Sequence, residues 1–288
     1  MREEDPTQFL IEAALREDLD VDGDVTSQYF TPESAHGRGR IFAKEPASLS
    51  GVEIAARVFA AVDQLLLVEV EAEDGTKLEP GGTALRVEGS LRSILTAERT
   101  ALNFIQRLSG VATLTAKFVG AIGDSKAKLL DTRKTTPGWR LLEKKAVGDG
   151  GGTNHRIGLF DHVMVKDNHL LAAPDQADLV ESIRRVKADF PEKRVQLEAD
   201  TLQQLLSFLK FDGVDSVLLD NMSLADLREA VRLRDERNPG LALEASGGIT
   251  LETIGGVAQT GVDFISVGAL THSATAVDFS LELEAVNS

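Results

Sequence analysis

The chain is 288 residues long, 42% hydrophobic and 27% charged, with a formal net charge of −15 and no cysteine. Its length allows one large domain or two with an ample core, and its acid excess argues against nucleic acid, which needs a basic footprint. The missing cysteine removes disulfides, thiolate nucleophiles and zinc–thiolate sites. No apolar run approaches the roughly 18 residues of a membrane span, and the acidic start MREEDPTQF resembles neither a secretory signal nor a transit peptide, so a cytoplasmic protein is expected.

The first elements point to a small mixed domain. FLIEAALRED has helical spacing, and the segment ARVFAAVDQLLLVEVEAE reads as extended. Asp74-Gly75 and Pro80-Gly81 read as turns. Together they predict an α/β sandwich over residues 1–112. Asp18, Asp20, Asp22 and Gly23 match the opening of a calcium loop, but its twelfth position falls on Tyr29 instead of a bidentate Glu, so an exposed acidic turn is expected. A long helical stretch from Ser93 to Ile122 then leads into the second domain.

From here the pattern becomes regular. Short apolar runs recur at 127–131, 162–167, 195–199, 216–220, 241–246 and 264–268. Helix-like segments separate them, such as LADLREAVRLRDE at 224–236. Strands alternating with helices imply right-handed βαβ units and a parallel sheet. Five or six repeats favour a TIM-like α/β barrel, incomplete, over residues 113–270. The Rossmann glycine fingerprint is missing, since Gly148–Thr153 fails at its last glycine and follows no strand. Residues 271–288 are expected to pack back on the N-terminal domain.

Chemistry concentrates between Asp131 and His169. This stretch holds seven Lys or Arg against five Asp or Glu, with three of the five histidines, His155, His162 and His169. A basic island in an acidic protein attracts small anions, and the tandem Gly150, Gly151 and Gly152 allow backbone to approach a ligand closely. A solvated basic loop is the competing reading. The residues at the strand ends, where a barrel builds its site, are Asp131 with Arg133 and Lys134, then Lys166, Glu198, Asp220, Ser246-Gly247-Gly248 and Gly268. Taken singly, Glu198 or Asp220 could cap the next helix. The late glycines fall where barrels bind phosphate through loop amides and a helix N-terminus.

The segments DTRKTTPG, GGGTNHRIGL, VMVKDNHL, SVLLDNM and EASGGI resemble those of the quinolinate phosphoribosyltransferase family, whose members are the decarboxylating nicotinate-nucleotide pyrophosphorylases. GDVTS, KEPASLSG and ERTALNFIQRLSG are similar to family segments in the same order, so the likeness spans nearly the whole chain. Ala47 stands where a glycine is usual, and Gly148-Asp149 fills a variable position. The resemblance implies a homodimer with shared active sites, dimer or hexamer being left open. It implies transfer from phosphoribosyl pyrophosphate to quinolinate with magnesium, releasing pyrophosphate and carbon dioxide. By the family pattern Arg99, Arg133, His155, Arg156 and Lys166 form the quinolinate pocket, with Arg99 from the partner subunit. Lys134 and the partner's Lys44 face the pyrophosphate, and Ser246, Gly247, Gly248, Gly268 and His272 hold the 5′-phosphate. Glu198 and Asp220 serve the ribose, the magnesium and the charge developing at the anomeric carbon, with Lys134 beside them in the catalytic set.

Three other readings stand beside this one. A paralogous phosphoribosyltransferase, molybdenum-operon or nicotinate-specific, would share the phosphate sites without the full dianion pocket. A barrel aldolase or lyase would use Lys166 as a Schiff base. A non-catalytic phosphoribosyl-ligand binder would be expected to lack Glu198 or Asp220, and both are present.

Overall fold

A computed structural model describes residues 5–166, 169 and 176–286. The chain divides into two units: Met1–Ala116 with Thr136–Gly151 and Leu270–Ser288, and Lys117–Thr135 with Gly152–Ala269.

The first unit is built on a four-stranded antiparallel sheet. Its strands are β1 (His36–Ala43), β3 (Leu67–Val70), β5 (Thr83–Ser90) and β12 (Phe279–Val286), in the order β12-β1-β5-β3, and a two-residue pair, β2 (Ala47–Ser48) with β4 (Lys77–Leu78), stands apart. The C-terminal strand therefore lies along β1, with Ala43 opposite Phe279. Helices α1 (Pro6–Leu19), α2 (Val25–Phe30) and α3 (Val52–Val62) accompany the sheet. α1 starts where Asp5 accepts the Thr7 amide and Pro6 supplies its fixed φ. α3 buries Val52, Ile54, Ala55, Val58 and Phe59. It replaces the first half of the run expected to be extended, and only Leu67–Val70 of that run is strand. The run AARVFAAV is rich in alanine, and its apolar residues cover one helical face, so helical propensity wins over its two valines. The acidic turn expected near Asp20 is present: Asp20 ends α1 with φ 41, and Asp24 caps α2 through Ser27.

Helix α4 (Leu91–Ile122) is the long helix foreseen; its residues from Lys117 on belong to the second unit. Arg107 on α4 donates to the Thr271 and Ala274 carbonyls and to Glu143 Oε1, 3.2 Å away, on α5 (Arg140–Asp149). Glu143 is fully buried and also accepts from the Thr136 amide and hydroxyl. Removing Arg107 would leave the buried Glu143 charge without its cation, a loss of up to about 3–5 kcal/mol. Gly150 packs on the same helix. A Cβ there would lie 2.4 Å from the Ala112 carbonyl oxygen, so this glycine permits close chain packing, whereas a ligand approach was expected.

The second unit is an incomplete α/β barrel. Its strands are β6 (Lys128–Leu130), β7 (His162–Val165), β8 (Arg194–Ala199), β9 (Ser216–Asp220), β10 (Ala242–Ser246) and β11 (Phe264–Ser266), in the order β6-β11-β10-β9-β8-β7. Every pairing is parallel. Pairing of the first strand with the last is barrel order, since a doubly wound sheet would put the first strand inside. Beside β6, residue Thr153 makes a parallel bridge to Leu130. Between the strands run α6 (Gln176–Asp189), α7 (Leu202–Phe208), α8 (Leu224–Arg237) and α9 (Leu251–Ala258), while α10 (Ala269–His272) opens the return to the first unit. The strands are almost wholly buried, as in β9, where Ser216 to Leu219 are all buried, which explains why they read as short continuous apolar runs.

Candidate active site

Side chains alternate across a strand, and in a parallel pair residues in register point the same way. Gln196 is in register with Ser216, Glu198 and Glu244 with Leu218, Ser246 with Asp220, and Met164 with Gln196. One face of the sheet, its concave lumen, therefore carries these side chains. Met164, Gln196, Leu218, Glu244 and Ser266 all point to that face below the strand ends, offset in register from strand to strand. At the C-terminal strand ends above them come Lys166, Glu198, Asp220, Ser246 and Gly268. The second unit thus gathers the expected strand-end residues at one mouth of one barrel.

Lys166 Nζ lies 3.4 Å from Glu198 Oε2, whose side chain is 11% exposed, and the Lys166 amide donates to His169 Nδ1 at 3.0 Å. Asp220 accepts from the Asn221 amide group at 2.6 Å. Neither carboxylate caps a helix: Thr201 caps α7 through Gln204, and Ser223 caps α8 through Asp226. The capping role that each could have had is held by another residue. Among the described residues no three His, Cys, Asp or Glu side chains converge as a metal cage. Two strand-end carboxylates do suit magnesium, which commonly takes one or two protein carboxylates and completes its octahedron with substrate oxygens and water.

Arg133 and Arg156 lie close enough for their charges to repel. Burial lowers the pKa of Arg156, and repulsion from Arg133 lowers it further, against attraction from Asp161 and Glu244. Arg156 donates to the His162 carbonyl at 3.1 Å and contacts Met164 Sδ at 3.4 Å. Arg133 Nε is buried without a hydrogen-bond partner. Like charges held together and a buried donor left unused are costly alone and are relieved by an anion.

The backbone that carries Arg156 is held from below. Asp131, fully buried at the end of β6, accepts the His155 amide at 2.7 Å. His155 Nδ1 accepts the Arg156 amide at 2.7 Å, and its Nε2 lies 3.1 Å from Glu244 Oε2. Gln196 donates to the same Glu244 oxygen at 2.7 Å. The Glu244 carboxyl is opposed by burial, yet hydrogen bonds led by His155 keep its pKa below the usual value. His162 stacks on His155 with ring centroids 5.3 Å apart. Its pKa falls to about 4, chiefly from burial and then from His155 and Arg156 nearby. A cavity of about 570 Å³ reaches these groups from the N-terminal ends of the strands, where His162, Arg194, Ser216, Ala242 and Phe264 line it together with Arg156.

The turn after β10 rests on backbone geometry. Gly247 and Gly248 both have positive φ, +91 and +60. A Cβ on Gly247 would stand 2.2 Å from Asn221 Oδ1 and 2.9 Å from the Asn221 backbone nitrogen. Asn221 itself is left-handed at φ 52, and its amide donates to the Ser246 carbonyl. Only glycine fits this turn, which leads through Thr250 into α9. Gly268 lies between β11 and the short α10.

Lys134 is exposed on the loop after β6 and belongs to the second unit, whereas Lys44, Arg99 and His272 belong to the first. Lys44 is ion-paired with Asp278 at 2.8 Å, Arg99 is exposed on α4, and His272 Nδ1 contacts the Ser273 hydroxyl at 2.7 Å. Asp167, counted in the basic stretch, lies outside the described residues. The sequence reading passed over Gln196 and Glu244. Their signal was a polar residue inside an apolar strand run, VQLEA and LALEAS, which needs an interior partner.

The chain matches two family models over most of its length: quinolinate phosphoribosyl transferase, N-terminal domain, at residues 24–109, and C-terminal domain at residues 111–282. It is 41% identical over 283 residues to a nicotinate-nucleotide pyrophosphorylase (carboxylating) of Mycobacterium leprae, covering 97% of this chain and 98% of that one. It is 40% identical to a quinolinate phosphoribosyltransferase (decarboxylating) of Nicotiana glauca, over 96% of this chain and 81% of the relative. A solved NadC structure from Streptococcus pyogenes superposes with a TM-score of 0.90 at 39% identity, over 97% of each chain.

Proposed function

This chain belongs to the quinolinate phosphoribosyltransferase family, and from that membership and the barrel-mouth geometry we infer how it acts. It transfers the phosphoribosyl group of phosphoribosyl pyrophosphate to quinolinate with decarboxylation, giving nicotinate mononucleotide, pyrophosphate and carbon dioxide. The observation that carries the reading is the Arg133–Arg156 pair, two neighbouring cations with a buried donor unused. Quinolinate, with two carboxylates on adjacent ring carbons, matches it, and a monocarboxylate would leave one group unanswered. Retention of Arg99, Arg133, Arg156 and Lys166 together favours this substrate over a nicotinate-specific relative. The pairing of Lys166 with Glu198 suits charge recognition better than Schiff-base chemistry.

Catalysis is chiefly positional and electrostatic. The glycine turn at Gly247 and Gly248, with Ser246 and Gly268, holds the 5′-phosphate. Lys134 and Lys44 face the departing pyrophosphate, whose charge they offset. Glu198 and Asp220 face the ribose and stabilise positive charge at the anomeric carbon as its bond to pyrophosphate breaks. The pyridine nitrogen then forms its bond to that carbon. The electron pair left when the adjacent carboxylate departs as carbon dioxide stays on that ring carbon, stabilised by the cationic nitrogen, and takes a proton from water, so the site needs no dedicated general base. Magnesium would be held by Glu198 and Asp220 with substrate oxygens, and supplies charge neutralisation at the pyrophosphate. The working assembly is a cytoplasmic homodimer in which Arg99 and Lys44 reach the partner's site. Incubating the pure protein with carboxyl-labelled quinolinate and magnesium tests the reading: labelled carbon dioxide should appear only when phosphoribosyl pyrophosphate is added. Release without it, or none with it, would overturn the assignment.

A further inference from the structure

Glu244 is 2% exposed and Gln196 1% exposed, both on the barrel's inner face below the strand ends. An ionised carboxylate at that depth is expensive unless its bonds are used. Glu244 Oε2 collects two of them, from His155 Nε2 and Gln196 Nε2. The chain of bonds then runs upward in one direction only. The Arg156 backbone amide must donate its single hydrogen, so His155 Nδ1 must accept and carries no proton. The Nε2 proton therefore points at Glu244. Both ring nitrogens are committed to the protein, and the face of the ring is stacked against His162.

On the reading that Arg156 grips quinolinate, we propose that Glu244 is a positioning residue for that grip, acting through His155, with Gln196 fixing Glu244. The buried carboxylate sets the His155 tautomer, and the tautomer sets the Arg156 main chain. Asp131 fixes the same peptide from the other side by accepting the His155 amide. His155 then works as a strut between the interior and Arg156. An imidazole flanked by a carboxylate and a group it must aim is a known device for fixing orientation.

The test compares Glu244→Met, which removes the acceptor at similar volume, with Glu244→Gln, which keeps an oxygen where His155 and Gln196 donate. Steady-state kinetics should show the KM for quinolinate raised roughly tenfold or more by Glu244→Met, with kcat and the KM for phosphoribosyl pyrophosphate changed less than about threefold. Glu244→Gln should lie nearer the wild type. In an Arg156→Met background, Glu244→Met should add nothing further to the quinolinate KM, because the route is already cut. A smaller rise, an equal change in both substrates' KM, a Gln variant as damaging as Met, or additive effects would overturn the proposal. Where Glu244→Met fails to fold, nitrogen NMR of the wild type at neutral pH decides it. His155 should carry its proton on Nε2 and none on Nδ1, and a protonated Nδ1 would overturn it. Wild-type protein inert towards quinolinate would instead sink the functional reading, leaving the tautomer measurement to judge this one.

Discussion

Replacing Arg133 by methionine separates what the guanidinium does for the ligand from what it does for the fold. In the unliganded protein the buried Arg133 Nε has no partner, and the group bears on Arg156 as a like charge. The substitution keeps most of the apolar stem while removing both penalties, so stability should stay within about 1 kcal/mol of the wild type or rise. Binding behaves differently. A hydrogen bond to a charged group contributes about 1.5–3 kcal/mol, and a forked pair to a carboxylate lies towards the upper part of that range or beyond. A loss of about 2–4 kcal/mol corresponds to roughly 30- to 900-fold weaker quinolinate binding, at about 1.36 kcal/mol per decade. Calorimetric titration with quinolinate and thermal melting on the same samples read the two quantities. Affinity for phosphoribosyl pyrophosphate should move by less than about threefold. A folded variant that binds quinolinate as well as the wild type would refute the pocket, and one that melts far lower would refute the claim that Arg133 is held at a cost to the fold.

Glu198→Gln and Asp220→Asn should lower kcat far more than they raise either KM, because they remove charge that matters as the anomeric carbon becomes positive; normal kcat in single-turnover experiments would take both off the catalytic list. Gly247→Ala should weaken phosphoribosyl pyrophosphate binding selectively, since its Cβ would strike Asn221 and displace the phosphate turn, and equal loss for both substrates would contradict that placement. The mixture of inactive Arg99→Ala and Lys134→Ala subunits should regain part of the activity after exchange, each mixed dimer holding one intact site; no recovery would place both residues in one chain's site. His162 has a folded pKa of about 4 against an ordinary 6.5, so the unfolded chain binds the extra proton between those values and stability falls as pH drops through that window. His162→Phe should flatten the melting temperature across it, and an unchanged slope would show that other groups set the acid sensitivity.

Much of the barrel was readable because its strands are buried on both faces and announce themselves as short apolar runs. All six ran within a residue or two of the observed strands, and the polar or small residues closing the runs marked the C-terminal strand ends. The glycines of the turn after β10 were also visible, and at Gly247 a Cβ would strike Asn221. The N-terminal unit was harder to read. Its segment ARVFAAVDQLLLVEVEAE crosses from helix to strand with no glycine or proline between, and the change is made at Asp63, which ends α3 and accepts the Leu65 amide. Helix caps at Thr201 and Ser223 were overlooked in favour of the acids before them, which freed Glu198 and Asp220 only once the caps were seen. The network beneath the site lay furthest from the sequence. Glu244 meets Gln196 across 48 positions and His155 across 89, and no local pattern announces partners so distant.

Specificity at the barrel mouth is the most direct test of the account. Equal concentrations of quinolinate and nicotinate, offered together with phosphoribosyl pyrophosphate and magnesium, should show quinolinate consumed while nicotinate persists, with carbon dioxide, pyrophosphate and nicotinate mononucleotide formed in equal amounts. Consumption of nicotinate with quinolinate left intact would contradict the dianion pocket and the function built on it.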